Sequence, residues 1–134
     1  MPISYYVNHA RRLVIAAAHG VLTDEDVFAY QTTVWSRPDV AGYAELLDMS
    51  DVTEIIQPTI GRVQHLASVA AKMPSSGSSS RFAIIAPSDI AFGLGRMFQA
   101  FREHADEGTR KVAVFRRVSE AVAFLEVESE SKPV

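Results

Sequence analysis

Leu46-Leu47-Asp48-Met49-Ser50-Asp51-Val52-Thr53-Glu54-Ile55-Ile56-Gln57-Pro58-Thr59 is the stretch on which the fold turns. Its beginning completes a strand predicted over residues 43–49. Its middle reads as a polar turn, and Pro58 suits the first position of a helix. Strand, turn and helix in that order form one unit of an α/β chain, and the flanking sequence repeats the pattern.

Upstream, residues 3–7 are rich in β-formers, and Asn8-His9-Ala10-Arg11 suits a turn. Residues 12–18 predict a second strand, antiparallel to the first because the connection is short. Thr23 opens a helix, with Asp26 completing a capping box and Asp24, Glu25 and Asp26 at the positive end of the helix dipole. Val27, Phe28, Gln31, Val34 and Trp35 mark one face of it, and Arg37-Pro38 stops it.

Downstream, residues 58–73 predict a helix with Ile60, Val63, Ala67 and Ala70 on one side. Residues 74–80 hold a serine run that predicts a flexible connector. An apolar strand over 81–86 follows. Pro87-Ser88-Asp89 then begins a helix to about residue 104, with Ile90, Leu94, Met97, Phe98 and Phe101 as its core stripe. Lys111 to Phe115 predicts a fifth strand and residues 118–125 a last helix, before a charged tail, 126–134, that frays. The order is ββαβαβαβα. It predicts one domain over residues 1–134, with a five-stranded, mainly parallel sheet, an antiparallel first strand and four helices.

Composition narrows the function classes. A chain of 134 residues with 48% hydrophobic residues buries one core. Its 13 basic residues are dispersed and the net charge is −3, which argues against a nucleic-acid surface. The absence of cysteine excludes disulfides and thiolate chemistry. The first residues lack a signal-peptide pattern, and the run from Leu13 to Leu22 is too short to span a bilayer. The expectation is a cytoplasmic protein without a transmembrane segment.

His9, His19, His65 and His104 show no metal-ligand spacing, and no Gly-x-Ser-x-Gly elbow is present. No metal and no cofactor is expected. Gly93-Leu94-Gly95-Arg96 departs from a dinucleotide-binding turn because Phe98 stands where the third glycine belongs. Small residues there predict a helix lying close to the sheet or to a ligand. Phe92, Arg96, Gln99 and Glu103 share a second face of that helix. Phe92 with Arg96 suits an anionic or amphipathic ligand or a protein partner; the alternative is that Phe92 packs under the preceding loop. The carboxyl ends of the parallel strands gather Thr23, Asp48, Ser50, Gln57, Thr59, Ser88 and Asp89. This set suits either anion binding or plain helix capping.

The element order and Leu47-Asp48-Met49-Ser50-Asp51-Val52 together resemble the SpoIIAA-like, or STAS, fold. Gly93-Leu94-Gly95-Arg96-Met97-Phe98 is similar to a stretch of a stand-alone, mostly uncharacterised bacterial branch of that family. The resemblance implies a non-enzymatic regulatory or ligand-binding domain; the strand ends and the second helix face read above supply Asp48, Ser50, Gln57, Thr59, Phe92 and Arg96 as its candidate binding residues. It also implies a phosphoacceptor turn, which an ungapped match from Leu47 places at residues 56–59. There Ile56 replaces the acid and Pro58 the serine, leaving Thr59, or Ser50, as the acceptor of a phospho-switched antagonist docking on a kinase. Similar folds in lipid-binding domains imply contact with a membrane surface. On that reading, residues 90–101 and Ser75 to Ser80 would form a lid over an apolar pocket. Two further expectations are a small hydrolase or transferase using Asp48 with a histidine, and a homodimer with Tyr30, Trp35 and Phe92 between the copies.

Overall fold

The computed structural model describes residues 2–72, 80–105 and 110–130. Five strands form one sheet in the order β1-β2-β3-β4-β5, with β1 antiparallel to β2 and the remaining pairs parallel. β1 is Ile3–Asn8, β2 Leu13–Leu22, β3 Ala44–Ile55, β4 Arg81–Ile85 and β5 Lys111–Phe115. The helices are α1 Asp24–Tyr30, α2 Ile60–Ala71, α3 Asp89–Ala105 and α4 Val118–Glu130. The ββαβαβαβα order and the five-stranded, mainly parallel sheet are as expected from the sequence.

Strand order decides where the helices go. From β2 to β5 every connection steps one strand in the same direction. Right-handed crossovers then place all three crossover helices on one face. Burial agrees. Val14, Ala16, Leu22, Leu47, Phe82, Ile84, Val112 and Val114 form one cluster with Tyr30, Ala70 and Ala91 from α1, α2 and α3. The alternate residues Ala83 and Ile85 pack on the other face with Ala121 of α4 and with Leu46, Phe115 and Phe124.

The central strand differs most from the sequence reading. β3 continues through the polar residues expected to turn and ends at Ile55. Its pairing with β2 carries two register shifts: Ala17 and His19 face Asp48 and Asp51, while Gly20 and Val21 face Val52 and Glu54. Each shift inserts one extra residue into β3, as a β-bulge does. Inward residues therefore fall at Leu47, Met49, Val52 and Ile55, and the spacing of two that marks a strand is lost. β2 lengthens with it, beyond residue 18, helped by Gly20 at φ +72°.

Other boundaries move for local reasons. α2 starts at Ile60, because Thr59 is its N-cap and accepts from the Arg62 N–H at 3.1 Å. α1 starts as expected, with the Thr23–Asp26 capping box formed in both directions. It then widens into a π-helical turn, Gln31–Trp35. On α3, Ile90 is exposed, and the buried face is Ala91, Gly95 and Arg102. Gly95 lies against β5, where an added Cβ would stand 3.0 Å from a Val114 methyl carbon; the expected close approach to the sheet is realised there. α4 continues past residue 125 to Glu130. Residues 74–79 of the expected connector and 131–134 of the expected tail lie outside the described residues.

Candidate functional site

Between the sheet and the three helices on its first face lies an apolar cavity of about 110 Å³. Leu47 and Met49 of β3 and Phe82 and Ile84 of β4 line it from the sheet. Val27, Tyr30, Gln31 and Trp35 line it from α1 and its π turn, Val63 and Leu66 from α2, and Ala91, Leu94, Gly95 and Phe98 from α3. Thr23, Asp24, Ile56 and Pro58, where β2 and β3 end, also line it. Asp24 is tied to Arg62 at 2.6 Å, which joins the start of α1 to the first turn of α2.

The cavity wall is apolar because its polar atoms are engaged behind it. Glu45, 1% exposed, lies one alternation from Leu47 on the same face of β3. Its Oε2 accepts from the Tyr30 hydroxyl and, at 2.9 Å, from the Trp35 indole N–H. Its Oε1 accepts from Arg110 at 2.9 Å, and the same Arg110 nitrogen donates to the Tyr43 carbonyl at 3.3 Å. The Arg110 guanidinium also stands 5.1 Å from the Phe82 ring centre and 5.6 Å from that of Trp35. Burial, then the adjacent Glu45 charge and its hydrogen bond, push the Tyr30 hydroxyl well above the usual tyrosine range. Tyr30 is therefore a fixed neutral donor.

Gln31 is the exception. It is fully buried and lines the cavity. Its Nε2 donates to the Leu66 carbonyl at 3.1 Å, while its Oε1 has no hydrogen-bond partner among the described residues.

None of the six residues singled out in the sequence lines this cavity. Asp48 pairs with Ala17 and Ile85 on the α4 face of the sheet, and its carboxylate accepts from the Ser50 backbone N–H at 2.9 Å and hydroxyl at 2.5 Å. Gln57 and Thr59 are exposed in the turn before α2. Phe92 is half-buried against the core, with the Arg116 guanidinium 4.3 Å from its ring centre, while Arg96 is exposed. Asp48 and Ser50 thus stand together, apart from the rest. Tyr30 and Trp35, expected between two copies, are instead 5% exposed within the core, because both donate to Glu45. Glu45 and Arg110 escaped the sequence reading. The one available signal was a charged residue two positions before Leu47 on an otherwise apolar strand face.

Among the described residues, no group of three His, Asp or Glu side chains is placed to hold a metal, and no helix is long and apolar enough to cross a membrane.

No protein-family model and no curated protein matches the chain. A solved structure does: an uncharacterised DUF3478-family protein with a SpoIIAA-like fold from Shewanella loihica PV-4. The likeness covers 92% of this chain and 93% of that one, at a TM-score of 0.54 and 15% identity. Identity at that level speaks for architecture alone, and together with the sheet order and the ββαβαβαβα succession it makes the fold of this chain SpoIIAA-like.

Proposed function

We propose that this chain is a non-enzymatic ligand-binding domain that takes a small amphipathic molecule between its sheet and α1, α2 and α3. The observation that carries this reading is the apolar cavity of about 110 Å³ reaching the carboxyl ends of β2 and β3. Ligands of open α/β sheets collect at that end. A well-packed interior of this size otherwise leaves few voids larger than a water molecule. Ile56, Ile60 and Ile90 are exposed at the same end and supply an apolar approach, suited to a molecule arriving from a membrane surface. The lining is apolar, and Asp24 and Glu45 are each already paired with an arginine, so a neutral ligand is favoured over an anion, which would lose its hydration there.

Native mass spectrometry of gently purified protein, followed by denaturing extraction, tests this reading. The expected result is a defined small molecule released on denaturation. Trp35 is the single tryptophan and lines the cavity, so its emission should shift when the extract is added back. A bare polypeptide mass, with no Trp35 response to any small apolar probe, overturns the proposal.

Thr59 supports a second reading, a phospho-switched partner protein. It is exposed at the N-terminus of α2, whose first turn carries no acidic residue, so the helix end favours an added phosphate. Phosphopeptide mapping from cells decides it: phosphate on Thr59 supports a switch, and an unmodified peptide at full coverage, under every growth condition tried, rejects it.

A further inference from the structure

We infer that this chain pairs with a second copy of itself along β1, edge to edge about a two-fold axis at Tyr5, so that one sheet runs through both copies. Nothing in this depends on the cavity or its occupant. Backbone geometry comes first. The Pro2 carbonyl accepts from the His19 N–H at 2.7 Å. Alternation along the antiparallel ladder then turns the N–H and C=O groups of Ser4, Tyr6 and Asn8 toward β2, and those of Ile3, Tyr5 and Val7 away from it. β1 lies at the edge of the sheet, so among the described residues no strand pairs with these outward groups. A copy set antiparallel with Tyr5 opposite Tyr5 brings Ile3 opposite Val7 on both sides of the axis. Each facing pair then exchanges two hydrogen bonds, and every outward group is matched.

The two edges of the sheet differ in protection. β5, at the far edge, opens with Lys111 and is followed by Arg116 and Arg117, charges of the kind that keep other strands away. β1 carries no charge and no proline, and its register with β2 runs without a shift. Tyr5 is 41% and Tyr6 61% exposed. Across the axis Tyr5 meets its own copy on the face that carries Tyr30, and Tyr6 lies diagonal to its copy on the opposite face, within reach of an aromatic side chain.

Charge selects a second copy as the occupant. Asp26 lines a groove with Pro2, Ile3 and Tyr5, and exposed Glu25 precedes it in the first turn of α1, so the start of β1 is acidic. Arg11 and Arg12, both exposed, follow Asn8 in the turn to β2, so the end of β1 is basic. Antiparallel self-pairing sets the acidic end of each copy toward the basic end of the other. An edge of 6 residues buries less than a standard interface, so the dimer should form at micromolar concentration and weaken in salt.

The test is sedimentation equilibrium of the full chain over a range of concentrations, with amide hydrogen exchange followed by NMR at low and high concentration. The mass should rise from one chain to two, and the Ile3, Tyr5 and Val7 amides should slow as it rises. Tyr6→Lys, which sets like charges beside the axis, should weaken the dimer at least tenfold. Tyr5→Pro should do the same, since it removes an outward N–H and spares the ladder to β2. A single-chain mass up to millimolar concentration overturns the inference and leaves the edge to a strand of another protein. Outward amides already protected in the dilute monomer overturn it too, since the chain then covers its own edge. So does a dimer in which these amides do not slow, or assembly beyond two copies, because a two-fold edge pairing closes at two. The wild-type measurements decide even if a variant does not fold.

Discussion

Replacing Glu45 by alanine leaves the Arg110 guanidinium, whose side chain is 6% exposed, without its carboxylate, and leaves the Tyr30 hydroxyl and Trp35 indole without their acceptor. An uncompensated buried charge of this kind costs about 3–5 kcal/mol. Removing the charge pair together, as Glu45→Leu with Arg110→Met, should cost clearly less. Urea denaturation of the two variants checks this, and equal losses would contradict it. Tyr30 sets a pH limit. Its folded pKa lies above the unfolded value of about 10, so its contribution to stability is complete below about pH 10. Above that the unfolded chain releases the proton first, and the contribution is lost as pH climbs toward the folded value. Tyrosinate absorbance during alkaline denaturation should show Tyr30 ionising together with unfolding, and Tyr30→Phe should lack that step. Gln31 was visible in the sequence as a polar residue on an apolar helix face. The Glu45–Arg110 pair was not, because the two lie 65 positions apart and meet only once the strands of the sheet are in register.

At the scale of elements, two glycines of α3 separate helix propensity from packing. Gly93 has open space where a Cβ would go, while Gly95 has Val114 methyl carbons at 3.0 and 3.2 Å. Gly93→Ala should therefore stabilise by about 0.5–1 kcal/mol. Gly95→Leu should destabilise by about 1–3 kcal/mol, since α3 must lift from β5 or Val114 must move. Thermal melts of both variants check the pair, and a stabilising Gly95→Leu would mean that the contact yields. The close approach of this helix was legible, because two glycines in an apolar helix need a packing reason. Its inward face was not, since Ile90 is more apolar than Ala91 and periodicity cannot tell an exposed rim from a core. β3 shows a deeper limit. Its two inserted residues change the inward spacing from two to three, so the segment from Ser50 to Glu54 reads as a turn although the chain stays extended.

For the whole molecule, the architecture was readable because strand–helix alternation and crossover handedness leave few arrangements. The cavity was not readable, because it arises from how three helices settle on one face, and the residues lining it have the same apolar character as an ordinary core. That cavity has a mechanical consequence. The part of that apolar space that water fills poorly vanishes on unfolding, so hydrostatic pressure favours the unfolded state, with a volume change on the order of tens of mL/mol. The chain should unfold at modest pressure for its size, and a small apolar molecule seated in the cavity should raise the midpoint pressure by more than it raises resistance to urea. High-pressure fluorescence of Trp35, which borders the space being compressed, reads that difference directly.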